Sequence, residues 1–178
     1  ELKPDYMNAF FNMGASFQET GDLDAAHNSY LKALQIEPAH AASHNNLGIV
    51  LKKKGLTEAA LRSYQRAIEI NPDYPEAFNN LGNVHMDQGD WELAIEAYKK
   101  SVLVKPDYAE VYNNMGVALQ GLGEFKSAIS NYQKQIGLNQ NGDFLKVAET
   151  TKKKILTVVS ESLQKKPVMT YATLNLLK

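Results

Sequence analysis

Asparagine is the residue type in this chain whose spacing could do chemistry. Asn12, Asn46, Asn80 and Asn114 stand 34 residues apart, Asn45, Asn79 and Asn113 immediately precede three of them, and Asn83 adds another. Asparagine is a mediocre helix former, so a set in phase is not there for helix propensity. Its amide offers one acceptor and two donors, which can pair with both the N–H and the C=O of an extended backbone. A row of such amides at regular rise would hold a polypeptide by its main chain without reading its sequence. Lys52, beside Lys53 at the end of the same stretch in the second unit, adds positive charge.

Other residue types give less. The chain has no cysteine, hence no disulfide framework, no thiolate nucleophile and no cysteine-ligated metal. His40 and His44 have the spacing of a helical metal pair, but His40 falls in a turn and no third ligand is in phase. His85 lies where other units carry Phe17, Leu51 and Leu119, a packing position. Gly121-Leu122-Gly123 is too short to cradle a phosphate, and the serines and aspartates form no triad. The expectation is a non-enzymatic chain without cofactor or metal. A formal net charge of −1 argues against a nucleic-acid binder. No apolar run is long enough to span a bilayer, so no membrane partner is expected. The lack of cysteine and of a signal peptide favours the cytoplasm.

The elements that must position the asparagines follow the same interval. Gly14, Gly48, Gly82 and Gly116 mark one phase, Gly21, Gly55, Gly89 and Gly123 a second, and Pro4, Pro38, Pro72 and Pro106 a third. Ala26/Tyr30, Ala60/Tyr64, Ala94/Tyr98 and Ala128/Tyr132 repeat an Ala-x-x-x-Tyr step. Glycine at the second phase suits the end of a first helix, and the proline one period later ends a second. Asp22 and Asp90 can cap second helices, as can Thr57. Met13, Leu47, Leu81 and Met115 would form the apolar ridge between the helices, with the tyrosines behind. No unit of this size buries its apolar face alone, so the units must stack.

The units FFNMGASF, HNNLGIVL, FNNLGNVH and YNNMGVAL, with their glycine, alanine, tyrosine and proline phases, resemble the tetratricopeptide repeat. The resemblance covers roughly residues 7 to 140 and implies an all-α, right-handed superhelix of four helix pairs with a concave face lined by the first helix of each pair. The units read 7–40, 41–74, 75–108 and 109–142. Residues 1–6 resemble the closing turn of an earlier repeat, since Lys3-Pro4-Asp5-Tyr6 nearly copies Lys105-Pro106-Asp107-Tyr108; the chain reads as a piece of a longer protein. Residues 143–166 predict a capping helix whose apolar stripe is Phe144, Val147, Ala148, Ile155, Val158, Val159 and Leu163, with Lys152, Lys153 and Lys154 facing water. Residues 167–178 form an apolar tail or the start of a following element.

Within the family the NNLG and NNMG strings look like the tetratricopeptide domains of O-linked N-acetylglucosamine transferases, whose asparagine ladder holds substrate chains. That likeness implies peptide contact at Asn12, Asn46, Asn80 and Asn114, with Asn45, Asn79, Asn113, Asn83 and Lys52 beside them; asparagine at this phase can also brace neighbouring helices. The family's two-carboxylate clamp for acidic chaperone tails is not matched. Its cation positions hold neutral residues, and Glu76 and Glu110 carry the opposite sign. The reading is a protein-interaction module for an extended polypeptide. Its alternatives are a structural scaffold, self-associating through the tail or the open N-terminal repeat, and the substrate-recruiting region of a glycosyltransferase or sulfotransferase whose catalytic domain lies elsewhere.

Overall fold

A computed structural model of the chain describes residues 4–138 and 144–164. Among the described residues it is helical throughout: α1 Pro4–Thr20, α2 Leu23–Ile36, α3 Ala41–Lys53, α4 Thr57–Ile70, α5 Pro75–Gln88, α6 Trp91–Val104, α7 Ala109–Gly121, α8 Phe125–Leu138 and α9 Phe144–Gln164. Helices α1 to α8 form four antiparallel pairs, and α9 follows.

The two glycine phases do different work. Gly89 ends α5 at φ 84°, in the left-handed region that a Cβ disfavours, and its N–H returns to the carbonyls of His85 and Met86. Gly82 instead makes room: a Cβ there would lie 2.5 Å from the ring of Tyr98 on the unit's second helix. The same contact recurs at Gly14–Tyr30, Gly48–Tyr64 and Gly116–Tyr132. All four tyrosines are buried, and burying a large apolar side chain stabilises by about 1.5–3 kcal/mol.

Asp22 caps α2, its carboxylate accepting from the N–H of Ala25 at 3.0 Å. Asp90 holds the N-cap position of α6 without a side-chain bond, and Leu56, not Thr57, precedes α4. Pro4, Asp5 and Tyr6 lie in the first turn of α1, whereas Pro106, Asp107 and Tyr108 stay between α6 and α7. Residues 4–6 therefore start a helix rather than close a turn, since a proline at the first helical position lacks only an N–H that would be unpaired.

Each second helix packs on the first helix of the next unit, and the first helices also touch one another: α1 on α3, α3 on α5, α5 on α7. The second helices do not meet to that extent, so the array curves toward the first-helix side. Buried Tyr30, Leu47, Val50, Tyr64 and Val84 form one apolar cluster across three units. Tyr98, Val111, Met115, Tyr132 and Val158 form another that reaches α9.

Candidate peptide-binding groove

The asparagines are positioned by the first helices and are bonded from unit to unit. The amide of Asn80 donates to Oδ1 of Asn45 at 2.9 Å, and that of Asn114 donates to Oδ1 of Asn79 at 3.2 Å and of Asn83 at 3.1 Å. Asn45 and Asn79 are buried, while Asn46, Asn80, Asn83, Asn113 and Asn114 are half-buried. Each buried asparagine thus accepts from an amide of the following unit.

The first junction differs because Phe11 stands where Asn45 and Asn79 stand. His40 packs against it edge-on, ring centroids 5.2 Å apart, and Asn46 donates instead to the hydroxyl of Tyr30 at 3.4 Å. Asn12 is exposed and its side chain has no partner among the described residues. Of the two uses the sequence leaves open, bracing occupies one face of the row, and exposed capacity remains at Asn12, at Oδ1 of Asn80 and at the second N–H of Asn46 and of Asn80. Lys52 is paired with Asp87 of the next unit at 2.8 Å.

The last rung was missed in the sequence. The ammonium of Lys154 on α9 donates to Oδ1 of Asn113, which itself donates to Asn114 at 3.2 Å. Lys154 therefore takes the place that Asn114 and Asn80 hold one and two units earlier. Buried Thr151 and Val158 and half-buried Ile155 take the places of Val111, Ala118 and Met115, offset by 40 residues instead of 34. The helix keeps the role of a unit's first helix, but six extra residues precede it, so no 34-residue comparison finds it. The helical spacing of Thr151, Lys154, Ile155 and Val158 was the available signal.

Two expectations for this helix change. Lys154 is not in water: it is half-buried, and its Nζ lies 5.6 Å from the Tyr132 ring centroid. Val159 and Leu163 are exposed, together with Leu156, on the face that other units cover with their own second helix. The side chains of Phe144, Val147 and Ala148, and residues 167–178, lie outside the described residues.

Burial governs the electrostatics. It raises the phenols of Tyr64 and Tyr98, holds that of Tyr132 up at about 12 with help from Glu161, and lowers the Lys154 ammonium. The hydroxyl of Tyr98 donates to Asn83 at 2.7 Å, and that of Tyr132 donates to Gln120 at 3.2 Å, whose amide donates to Glu161 at 3.1 Å.

Two of the four histidines are bonded near the start of α3. Nδ1 of His40 accepts from the N–H of Ser43 at 3.3 Å at the start of α3, and Nε2 of His44 donates to the carbonyl of Pro38 at 3.0 Å. His85 is half-buried, and its Nδ1 is the one buried side-chain atom without a partner among the described residues. No group of three metal-ligating side chains occurs among the described residues, and no helix there is long and apolar enough to cross a membrane.

The family profile described as TPR repeat matches residues 17–55, 50–89 and 82–123, and that described as tetratricopeptide repeat matches 109–141. No curated relative matches the chain. Among solved structures, a crystal structure of MamA protein is similar at a TM-score of 0.71 and 21% identity, covering 92% of this chain and 93% of that one. PilF of Pseudomonas aeruginosa gives a TM-score of 0.73 at 19% identity, covering 89% of this chain and 77% of that one. O-GlcNAc transferase of Thermobaculum terrenum gives a TM-score of 0.70 at 22% identity over 79% of this chain, but only 27% of the transferase. At these identities the structures share the superhelical fold. Four helix pairs with their glycine, tyrosine and proline phases, closed by a capping helix, place the chain in the tetratricopeptide repeat family.

Proposed function

We propose that this chain is a non-enzymatic interaction module that holds an extended polypeptide in its concave groove. Repeats of this family serve generally as protein-interaction modules, and the row of asparagine amides along the first helices carries the finer reading. Bonds between units hold Asn46, Asn80 and Asn114 in fixed orientations while leaving each part-exposed. Groups fixed before binding lose little conformational freedom on contact, which favours affinity. Backbone-directed amides suit a partner of varied sequence. The likeness to part of a transferase supports the narrower alternative that the groove recruits substrate for a catalytic domain elsewhere.

The test uses blocked, uncharged peptides rich in Ser, Thr and Val, which favour extended backbone. Side-chain amide resonances of Asn12, Asn46, Asn80 and Asn114 should move on titration, while those of convex-face Asn28 and Asn131 stay. Shifts confined to the convex face, or none at the row, would overturn the reading.

A second reading, self-association, is favoured by one observation. Met13 is 45% exposed where Leu47 and Met115 are 6% and 5% exposed, so the outer face of α1 is open.

A further inference from the structure

The row of amides ends in a charge. Asn80 and Asn114 each donate a neutral N–H back to the preceding unit, and at the next rung Lys154 makes the same bond to Asn113 with an ammonium. An ammonium has three donors, and among the described residues the Asn113 carbonyl is the only hydrogen-bond acceptor for it. The Tyr132 ring contributes a cation–π contact at 5.6 Å. No carboxylate of the described residues lies within ion-pair distance of Lys154.

The acids nearby are otherwise placed. Glu161, two turns along α9, accepts from Gln120; Glu149 pairs with Lys153; Glu110 is exposed, one turn before Asn113 on α7. A half-buried cation without a counter-charge has lost water that one carbonyl and one ring repay only in part. The lowered lysine pKa, caused by burial, agrees with that geometry.

We infer that the α9 end of the groove is an anion site, in which Lys154 beside Asn113 and Asn114 receives a carboxylate of the bound polypeptide. The inference rests on the groove reading and adds to it a direction: the acidic group of the partner sits at the last rung, and neutral backbone lies along Asn80 and Asn46. The carboxylate comes either from an Asp or Glu side chain or from a chain terminus. The family's two-carboxylate clamp draws several cations from the first helices of its units, whereas here a single cation comes from α9 and the equivalent positions of the two preceding units, Asn80 and Asn114, are amides. Bond strength at a charged donor is about twice that at a neutral one.

The experiment titrates three versions of one Ser/Thr/Val peptide into the full chain: blocked at both ends, with a free C-terminal carboxylate, and blocked with one internal Asp. Affinity and the resonances of Asn113 and Asn114 are followed. At least one carboxylate peptide should bind about tenfold more tightly than the neutral one, and added salt should erode the difference. Which of the two gains identifies the source. Lys154→Gln keeps a donor for Asn113 and removes the charge, so it should bind all three alike; Lys154→Arg should keep the preference. If the row responds equally to all three peptides, or the preference survives in Lys154→Gln, the anion site is wrong and the groove reading stands. If no peptide moves the row, the groove reading fails and the anion site with it.

Discussion

The amide of Asn80 donates to Oδ1 of Asn45 at 2.9 Å, and the two residues belong to successive units. Asn45 is 4% exposed, so its carbonyl has little water to fall back on. The bond therefore couples stability to the same residue proposed to meet a ligand, and the two roles separate by position along the row.

Asn80→Ala should destabilise the fold by about 1–3 kcal/mol, because it strands the buried carbonyl of Asn45. Asn12→Ala, at an exposed side chain without a partner among the described residues, should stay within about 0.5 kcal/mol of the parent. Urea denaturation with a shared slope decides. Equal effects at the two positions would show that the bond between units contributes nothing.

Gly82→Ala and Gly89→Ala should both destabilise, by different mechanisms. At Gly82 the added Cβ lies 2.5 Å from the Tyr98 ring, so helix or ring must shift, a strain of about 1–3 kcal/mol. At Gly89 nothing lies within 4 Å, and the cost is backbone strain at φ 84°, about 1 kcal/mol. Tyr98→Leu should relieve much of the first penalty and none of the second. A double-mutant cycle with each alanine checks this.

That contrast shows what the sequence made legible. Residues that recur at 34 reveal four helix pairs, because Gly82–Tyr98 and its counterparts are one contact repeated, and repetition survives without knowing the contact. The bracing of the row was harder to see. It joins Asn80 to Asn45 at a separation of 35, across two phases that the sequence shows only as adjacent asparagines. The capping helix is legible as a helix, but the face it buries is not. Its register shifts by six residues, so Thr151 is buried, Val159 and Leu163 are exposed, and Lys154 leaves the water for the row. Apolar count along a helix gives a stripe; which stripe is covered depends on the neighbour it meets.

Alkaline pH should unfold the protein earlier than it would a chain with exposed tyrosines. Burial raises the phenols of Tyr30, Tyr64, Tyr74, Tyr98, Tyr108 and Tyr132, that of Tyr132 to about 12. In the unfolded chain they ionise near the ordinary value of about 10. The stability they confer is whole below about pH 10 and is lost as pH climbs through the folded values, because there the unfolded state releases protons first. Lys154 acts oppositely: its lowered value makes stability rise with pH until the unfolded lysine also loses its proton. Six phenols outweigh one ammonium, so the net slope above about pH 10 is downward. Circular dichroism and tyrosinate absorbance should change together, and Tyr132→Phe should make the alkaline slope shallower.

The exposed apolar side chains of α1 and α9 predict association at high concentration. The outer face of α1 presents Tyr6 at 54% and Met13 at 45% exposure, and α9 presents Leu156 at 60% and Leu163 at 61%. These two faces differ, so contact between them is heterologous and has no built-in stop unless the rotation closes a ring. Light scattering should therefore show mass rising with concentration, with no plateau at a dimer. Met13→Lys places a charge in one face and should reduce the rise, and Leu156→Gln should do so from the other. Both side chains are exposed, so each variant should keep the parent stability within about 0.5 kcal/mol. A version ending at Lys166 that still associates would assign the contact to α1 and α9 rather than to the apolar residues from Val168 onward. A constant monomer mass at every concentration would remove the self-association reading and leave the groove as the surface through which this chain meets its partners.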